Sequence, residues 1–221
     1  KKNNQIYLYD NNKKNFKKFL LDKKKIDQSK FDFILVSPGI DINKCDLKHY
    51  LKKNLKKIIT DLDVFYSTHA KNKIITITGT NGKSTTAKLL QKILIDHKKD
   101  ARACGNIGKP ILSEKKISKK TFFVIEASSY QIAYSQFFKT NYALILNISP
   151  DHLERHRSIG NYVSAKFKLI TNQSKNDFAH LNCKDKYLMK RIKKNRIFSK
   201  IINVNPEGFA NLKKKISNHY F

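Results

Sequence analysis

Residues Ile74–Thr86 read IITITGTNGKSTT, and this stretch decides the fold. Ile74 to Thr78 are mostly β-branched and apolar, the signature of a buried strand. Gly79, Thr80, Asn81 and Gly82 follow. Lys83, Ser84 and Thr85 then open an amphipathic run over Ala87–Ile95. A strand, a glycine loop and a helix in this order form a cradle for a phosphate chain. Glycines let backbone approach the anion, successive N–H groups point inward, and the helix N-terminus adds partial positive charge. In such a loop Lys83 reaches the outer phosphates, and the hydroxyl of Ser84 or Thr85 faces Mg²⁺. The pattern departs from GxxxxGK[ST], because Ile77 stands where the first glycine would fall.

The chain on either side alternates strand and helix signals, which reads as α/β with a mostly parallel sheet. Upstream, strands are expected at Ile6–Tyr9, Phe31–Val36 (FDFILV) and Lys57–Thr60. Helices are expected at Phe16–Leu21, Leu47–Leu55 and Asp61–Thr68, the last with Asp61 as N-cap. Lys23–Lys25 reads as an exposed turn, and Ala70–Lys73 is the best boundary between two units. Downstream, strands are expected at Phe122–Ile125, Ala143–Ile148 and Phe178–Asn182. RIFSK and IINVN read as edge strands, and a helix carries Tyr162, Ala165, Lys166 and Leu169.

In an open parallel sheet, ligands sit beyond the carboxyl ends of the strands. Three strands here end in chemically useful groups: the glycine loop after Thr78, Glu126 after Ile125, and Asp151 with His152 after Ile148. They are expected to share one crevice. Glu126 is the carboxylate a hard cation such as Mg²⁺ wants, or else a strand-end charge paired with a lysine. His152 suits a second metal, more naturally Mn²⁺. The paired glycines of Cys104-Gly105-Asn106-Ile107-Gly108 mark tight backbone near a ligand. His152 and His156 have the spacing of a helical zinc pair, but no third ligand accompanies them. By composition alone, Lys166 reads as one more solvated lysine.

With 46 Lys+Arg against 17 Asp+Glu, the formal charge is +29. Such a field attracts phosphate polymers. The excess, however, is nearly all lysine, spread over both halves beside abundant Asn and Ile, and lacks the aromatic–basic interleaving of RNA-binding sheets. Nucleic acid is therefore not the expected partner. No run approaches the ~18 apolar residues of a membrane helix, so a membrane is not expected either. Cys45, Cys104 and Cys183 are an odd, scattered set, as in a reducing cytoplasm. The start KKNNQIYLYD has no initiator Met, and a fragment is expected.

TGTNGKSTT resembles the ATP loop of the Mur ligase superfamily, which includes the folylpolyglutamate synthases and uses a loop without the first glycine. The resemblance continues through VSPGI (Val36–Ile40), TDLDVF, GNIG (Gly105–Gly108), EASSYQ (Glu126–Gln131), NISPDHLERH and NYVSAK (Asn147–Lys166). These blocks are most similar to the branch that joins D-glutamate to UDP-N-acetylmuramoyl-L-alanine. The resemblance implies a partial, Rossmann-like UDP-substrate-binding domain over 1–70 and a central ATP-binding domain over 71–221, incomplete at its C-terminal end. It implies that Gly79, Thr80, Asn81, Gly82, Lys83, Ser84 and Thr85 bind ATP and that Ser84 and Glu126 meet Mg²⁺. A carboxylated Lys166 would serve a second metal with His152. Ser37, Asn106 and His152 would lie along the acceptor. The implied enzyme is a monomeric, cytoplasmic amide ligase of peptidoglycan synthesis that works through an acyl phosphate, inactive as this piece alone. Two other readings stay open: a relative adding a different amino acid, or a non-catalytic basic nucleotide- or RNA-binding module.

Overall fold

The structure, a computed structural model, describes residues 5–10 and 21–204. A smaller unit comes first, with helix α1 (Lys23–Gln28), strand β1 (Ile34–Leu35), helix α2 (Lys48–Lys53) and strand β2 (Ile58–Ile59). The two strands pair in parallel, Ile34 beside Ile58 and Leu35 beside Ile59. Helix α3 (Asp61–His69) leads to strand β3 (Lys73–Thr78), helix α4 (Lys83–Asp96), and strands β4 (Ala101–Gly105) and β5 (Phe122–Glu126). Helix α5 (Ser129–Tyr134), strand β6 (Tyr142–Ile145), helices α6 (Leu153–His156) and α7 (Ile159–Thr171), strand β7 (Phe178–Leu181), helix α8 (Lys186–Lys194) and strand β8 (Lys200–Asn203) complete it. The second sheet has the order β4-β5-β3-β6-β7-β8, with every pair parallel.

Strand alternation divides the core into two layers. Ile77 and Val124 point to one face, where they meet Ala87, with Leu90 and Leu94 of α4 packed alongside. Ile74, Phe123, Ile125, Ala143 and Ile145 point to the other, against Leu62 and Phe65 of α3, Ile132 of α5, and Tyr162, Phe167 and Ile170 of α7. Helix α3, which precedes the Ala70–Lys73 turn, is thus a wall of the larger core. Ile26, Val36, Ile42, Tyr50, Leu51 and Ile58 form a separate cluster in the smaller unit.

The order places the switch point between β3 and β6. The chain leaves β3 toward β4 on one side and leaves β6 toward β7 on the other, so the loops after β3 and β6 flank a crevice at the strand ends.

Several local expectations need correction. Residues 6–9 form no strand: Leu8 makes only a single bridge, its carbonyl accepting from Leu21 N–H at 2.9 Å. The expected helix Phe16–Leu21 lies outside the described residues except for Leu21, which precedes α1. Lys23–Lys25 is helix, because the Asp22 carboxylate caps it by accepting from Lys25 N–H. FDFILV keeps only two strand residues, and Phe33 and Leu35 are 64% and 55% exposed, since a two-stranded sheet leaves a face uncovered. Thr60 caps α3, because Asp63 rather than Asp61 closes the capping box. Of RIFSK only Lys200 is in a strand, as the first residue of β8.

Candidate functional site

The loop after β3 is held by the loop after β6. Thr80 N–H donates to the Asn147 carbonyl at 3.0 Å, and Asn81 N–H donates to Asn147 Oδ1 at 2.9 Å. Asn147 Nδ2 returns a bond to the Asn81 carbonyl at 3.0 Å. Gly82 caps α4 at φ 83°, a left-handed conformation natural to glycine. The first-turn N–H groups of α4 that follow lack intrahelical acceptors and remain available to an anion. Lys83 Nζ donates to the Thr80 carbonyl at 2.7 Å, curling over the loop it belongs to. Thr85 is exposed in the first turn.

Glu126 closes β5 beside Ile77 of β3 and Gly105 of β4, and is 2% exposed. Its Oε2 accepts from Ser84 Oγ at 2.7 Å, and its Oε1 accepts from Asn106 Nδ2 at 3.2 Å. Asn106 N–H also donates to the Glu126 carbonyl at 2.8 Å. The structure thereby brings together a loop hydroxyl, a buried carboxylate and the GNIG amide. The donor set fits Mg²⁺: a hard oxygen pair in which the carboxylate has no ammonium or guanidinium partner among the described salt bridges. No larger cluster of carboxylate, imidazole and thiolate groups surrounds it among the described residues. A cation here would take its remaining oxygens from phosphate and water, as Mg²⁺ prefers.

Gly105 makes this arrangement possible. At φ 102°, a Cβ on residue 105 would run into the Glu126 carbonyl oxygen and lie 3.2 Å from Ile125 Cγ2. Gly105→Ala is therefore expected to cost roughly 2–3 kcal/mol and to loosen Glu126. A denaturation midpoint equal to wild type would reject this.

Lys166 is not solvated, contrary to the reading from composition. It is 2% exposed on α7, and Nζ donates to the Gly79 carbonyl at 2.8 Å and to Thr78 Oγ1 at 3.3 Å. The ammonium also lies 4.5 Å from the Tyr162 ring centroid. Burial, and secondarily the Lys83 charge, push its pKa down to about 7, against a smaller opposing pull from Asp151. Tyr162 OH shares a hydrogen with Thr80 Oγ1 at 3.1 Å, so one ring touches the lysine and the loop together.

His152 begins a helical turn at φ 52°, and Arg157 ends it at φ 66°. The His152 ring is exposed, 5.1 Å from the Tyr130 ring and 6.4 Å from Tyr162. His156 Nε2 and Ser129 Oγ share a hydrogen bond at 2.9 Å, and burial lowers the His156 pKa, aided by the nearby Lys166 charge. That imidazole is held by protein and is not set as half of a zinc pair. Ser37 is exposed, in a turn closed by Ile40 N–H donating to its carbonyl at 3.0 Å.

Sequence reading gave Asn147 and Arg155 no role, and named Tyr162 only as a position on a helix. Tyr162 had a signal: 162, 165, 166 and 169 recur at one helical face, and all four are buried.

Fold and site together define a phosphate-loop α/β domain. Residues 77–220 match the Mur ligase middle domain, and the chain belongs to that family. It is 36% identical over 172 residues to a UDP-N-acetylmuramoylalanine–D-glutamate ligase of Rickettsia bellii, covering 77% of this chain and 37% of the relative. It is 38% identical over 150 residues to the enzyme of that name from Caldicellulosiruptor bescii, covering 67% and 33%. The chain thus spans 33–37% of the length of these curated relatives. Its fold is similar to the crystal structure of a UDP-N-acetylmuramate:L-alanyl-γ-D-glutamyl-meso-diaminopimelate ligase of Neisseria meningitides. There the TM-score is 0.55 at 17% identity, over 81% of this chain and 60% of that one.

Proposed function

We propose that this chain forms the nucleotide-binding part of an ATP-dependent ligase that joins D-glutamate to UDP-N-acetylmuramoyl-L-alanine in peptidoglycan synthesis. The observation that carries this is the junction of the Gly79–Ser84 loop with Glu126 through the 2.7 Å Ser84–Glu126 bond, in a chain whose curated relatives bear that name. ATP is the phosphoryl donor: the alanyl carboxylate takes the γ-phosphoryl group, releasing ADP, and the D-glutamate amine then displaces phosphate.

The division of labour follows from position. Gly79–Gly82 and the α4 N-terminus cradle phosphate with backbone N–H groups, and Lys83 swings from the Thr80 carbonyl to the outer phosphates. Ser84 and Glu126 would hold Mg²⁺, whose charge would offset that of the transferring group. Asn106 keeps the Glu126 carboxylate oriented and borders the acceptor, with Ser37 and His152. Lys166, neutral in part near pH 7, would add CO₂ with loss of a proton to solvent, and the carbamate would offer an oxygen ligand to a second metal served also by His152. We place the division between an acceptor-side unit (1–70) and the nucleotide unit (71–221) at the Ala70–Lys73 turn, where the phosphate-loop unit opens with β3; Leu62 and Phe65 of α3 cross that division into the larger core. A cytoplasmic location accords with these substrates.

ATP·Mg²⁺ at a hundredfold excess over Kd is expected to stabilise the fold by about 2.7 kcal/mol, and Lys83→Ala to remove most of that gain. Thermal unfolding at millimolar nucleotide reads it directly. An unchanged midpoint in a folded sample would count against the site.

In a protein carrying the complete ligase, D-glutamate with UDP-N-acetylmuramoyl-L-alanine is the expected productive pair. Incorporation of L-lysine, diaminopimelate or L-alanine instead would overturn the assignment while leaving the nucleotide chemistry intact.

A further inference from the structure

The turn that carries His152 has non-glycine residues in left-handed conformations at both ends, His152 and Arg157. Such a turn persists only where its surroundings over-determine it. Two anchors are visible. One is α5: the His156 ring stacks on Tyr130 at 5.2 Å and 15°, and its Nε2 is bonded to Ser129. The other crosses to the smaller unit through Arg155. Its Nη1 donates to the Pro38 carbonyl at 2.7 Å, and its Nη2 to the Ile40 carbonyl at 2.5 Å. Its guanidinium carbon lies 3.9 Å from the Tyr130 ring centroid.

The fork of Arg155, three residues along the chain from His152, therefore grips the Pro38 and Ile40 carbonyls of the turn that bears Ser37. Gripping two carbonyls while stacking on an aromatic face requires a rigid, planar, multi-donor cation. Lysine, a single point of donation, cannot reproduce it. The pairing is not an ion pair, because both acceptors are neutral backbone. Its effect is positional: moving the Ser37–Ile40 turn moves Arg155, and with it the short helix whose first residue follows His152.

We propose that Arg155 is a positioning residue that couples the Ser37–Ile40 turn to the His152 turn, whose leading residue Ser149 is tied to the phosphate loop by its N–H donating to Thr80 Oγ1 at 3.0 Å and its carbonyl accepting from that hydroxyl at 3.2 Å, so that occupancy of the acceptor side and of the nucleotide side favour one another. The identity of the acceptor rests on the ligase reading above; the mechanical link does not. Coupling of this kind is reciprocal, so acceptor must tighten nucleotide by the same factor as nucleotide tightens acceptor.

The test uses the protein carrying the complete ligase. Affinity for a non-hydrolysable ATP analogue with Mg²⁺ is measured by calorimetry with and without saturating UDP-N-acetylmuramoyl-L-alanine. In wild type the acceptor is expected to tighten nucleotide about fivefold or more. In Arg155→Met and Arg155→Lys the factor is expected to fall to near one, with nucleotide affinity alone unchanged within about twofold. A role confined to stability would lower the unfolding midpoint and leave the factor intact, and that result overturns the proposal. Failure of lysine to restore coupling separates the fork from mere charge, and full restoration by lysine also overturns it.

If wild type binds no acceptor, the ligase reading fails and a second readout decides the link. In this chain, Arg155→Met is expected to speed exchange of the Ile40 amide, which donates to Ser37, and to shift the His152 ring resonances. His152 resonances that stay in place while Ile40 exchange accelerates would overturn the coupling.

Discussion

Asp63→Ala is expected to lower stability by at least about 3 kcal/mol, placing it among the most damaging single substitutions in the chain. The Asp63 side chain is 0% exposed. Its Oδ1 accepts from Gln136, Phe137 and Phe138 N–H at 2.9, 2.9 and 3.0 Å, and from Ser135 Oγ at 2.9 Å. Its Oδ2 accepts from Thr60 N–H at 2.9 Å. Alanine would strand four backbone donors where water cannot readily replace the carboxylate. For a domain of this size the unfolding midpoint should fall by roughly 6–12 °C. Asp63→Asn retains one acceptor oxygen but faces Thr60 N–H with an amide, so an intermediate loss is expected. A midpoint within about 2 °C of wild type for the alanine variant would show that the network is not holding α3 in place.

The second large effect has the opposite sign. Lys166→Met is expected to stabilise the protein at pH 6 by an amount on the order of 3 kcal/mol, while abolishing ligation in the complete enzyme. The sign follows from the lowered pKa. Below pH 7 both folded and unfolded states hold the proton, and the folded state bears the full cost of a buried ammonium. Between about 7 in the folded protein and the ordinary lysine value of 10.5, the unfolded chain binds more protons, so wild-type stability rises with pH across that window. Methionine removes this contribution, and a shallower one from Lys168, also lowered by burial, remains. Urea titrations of both proteins from pH 6 to 10 measure the difference; parallel stability curves would show that Lys166 is not held in an unfavourable ionisation state. The neutral amine this leaves near pH 7 is the form that adds CO₂. A ¹³C carbamate resonance from labelled bicarbonate, present with ATP·Mg²⁺ in wild type and lost in Lys166→Met, is the matching functional readout.

The two cases show how much the residues alone make legible. The β3–loop–α4 unit declares itself because its determinants are contiguous: a β-branched run, glycines at the turn, then Lys83-Ser84-Thr85. The place of Glu126 was legible for a related reason, since a polar residue after an apolar run marks the carboxyl end of a strand, and β5 does end there. Asp63 was not, because TDLDVF reads equally well as an exposed helix start. What buries it is the 135–138 turn, some seventy residues away, and no local pattern carries that information. Lys166 lay between these extremes. Its place on the 162–165–166–169 face was visible in the helical period, yet the abundance of lysine elsewhere masked it. Strand β4 and helix α8 were missed for want of contrast: ARACG is short and weakly β-branched, and the lysines of KYLMKRIKK obscure the buried Leu188.

Helix α3 has one further bearing, on how the molecule comes apart. It follows directly on β2 of the smaller unit, yet Leu62 and Phe65 are sealed in the larger core. Gln131 Nε2 adds a bond shared between both oxygens of Asp61, at 3.1 and 2.8 Å. Melting α3 would therefore uncover apolar surface on the six-stranded sheet at the same moment that it releases β2. The two hydrophobic clusters share one cooperative unit through this helix, and the weaker cluster borrows the resistance to opening of the stronger one.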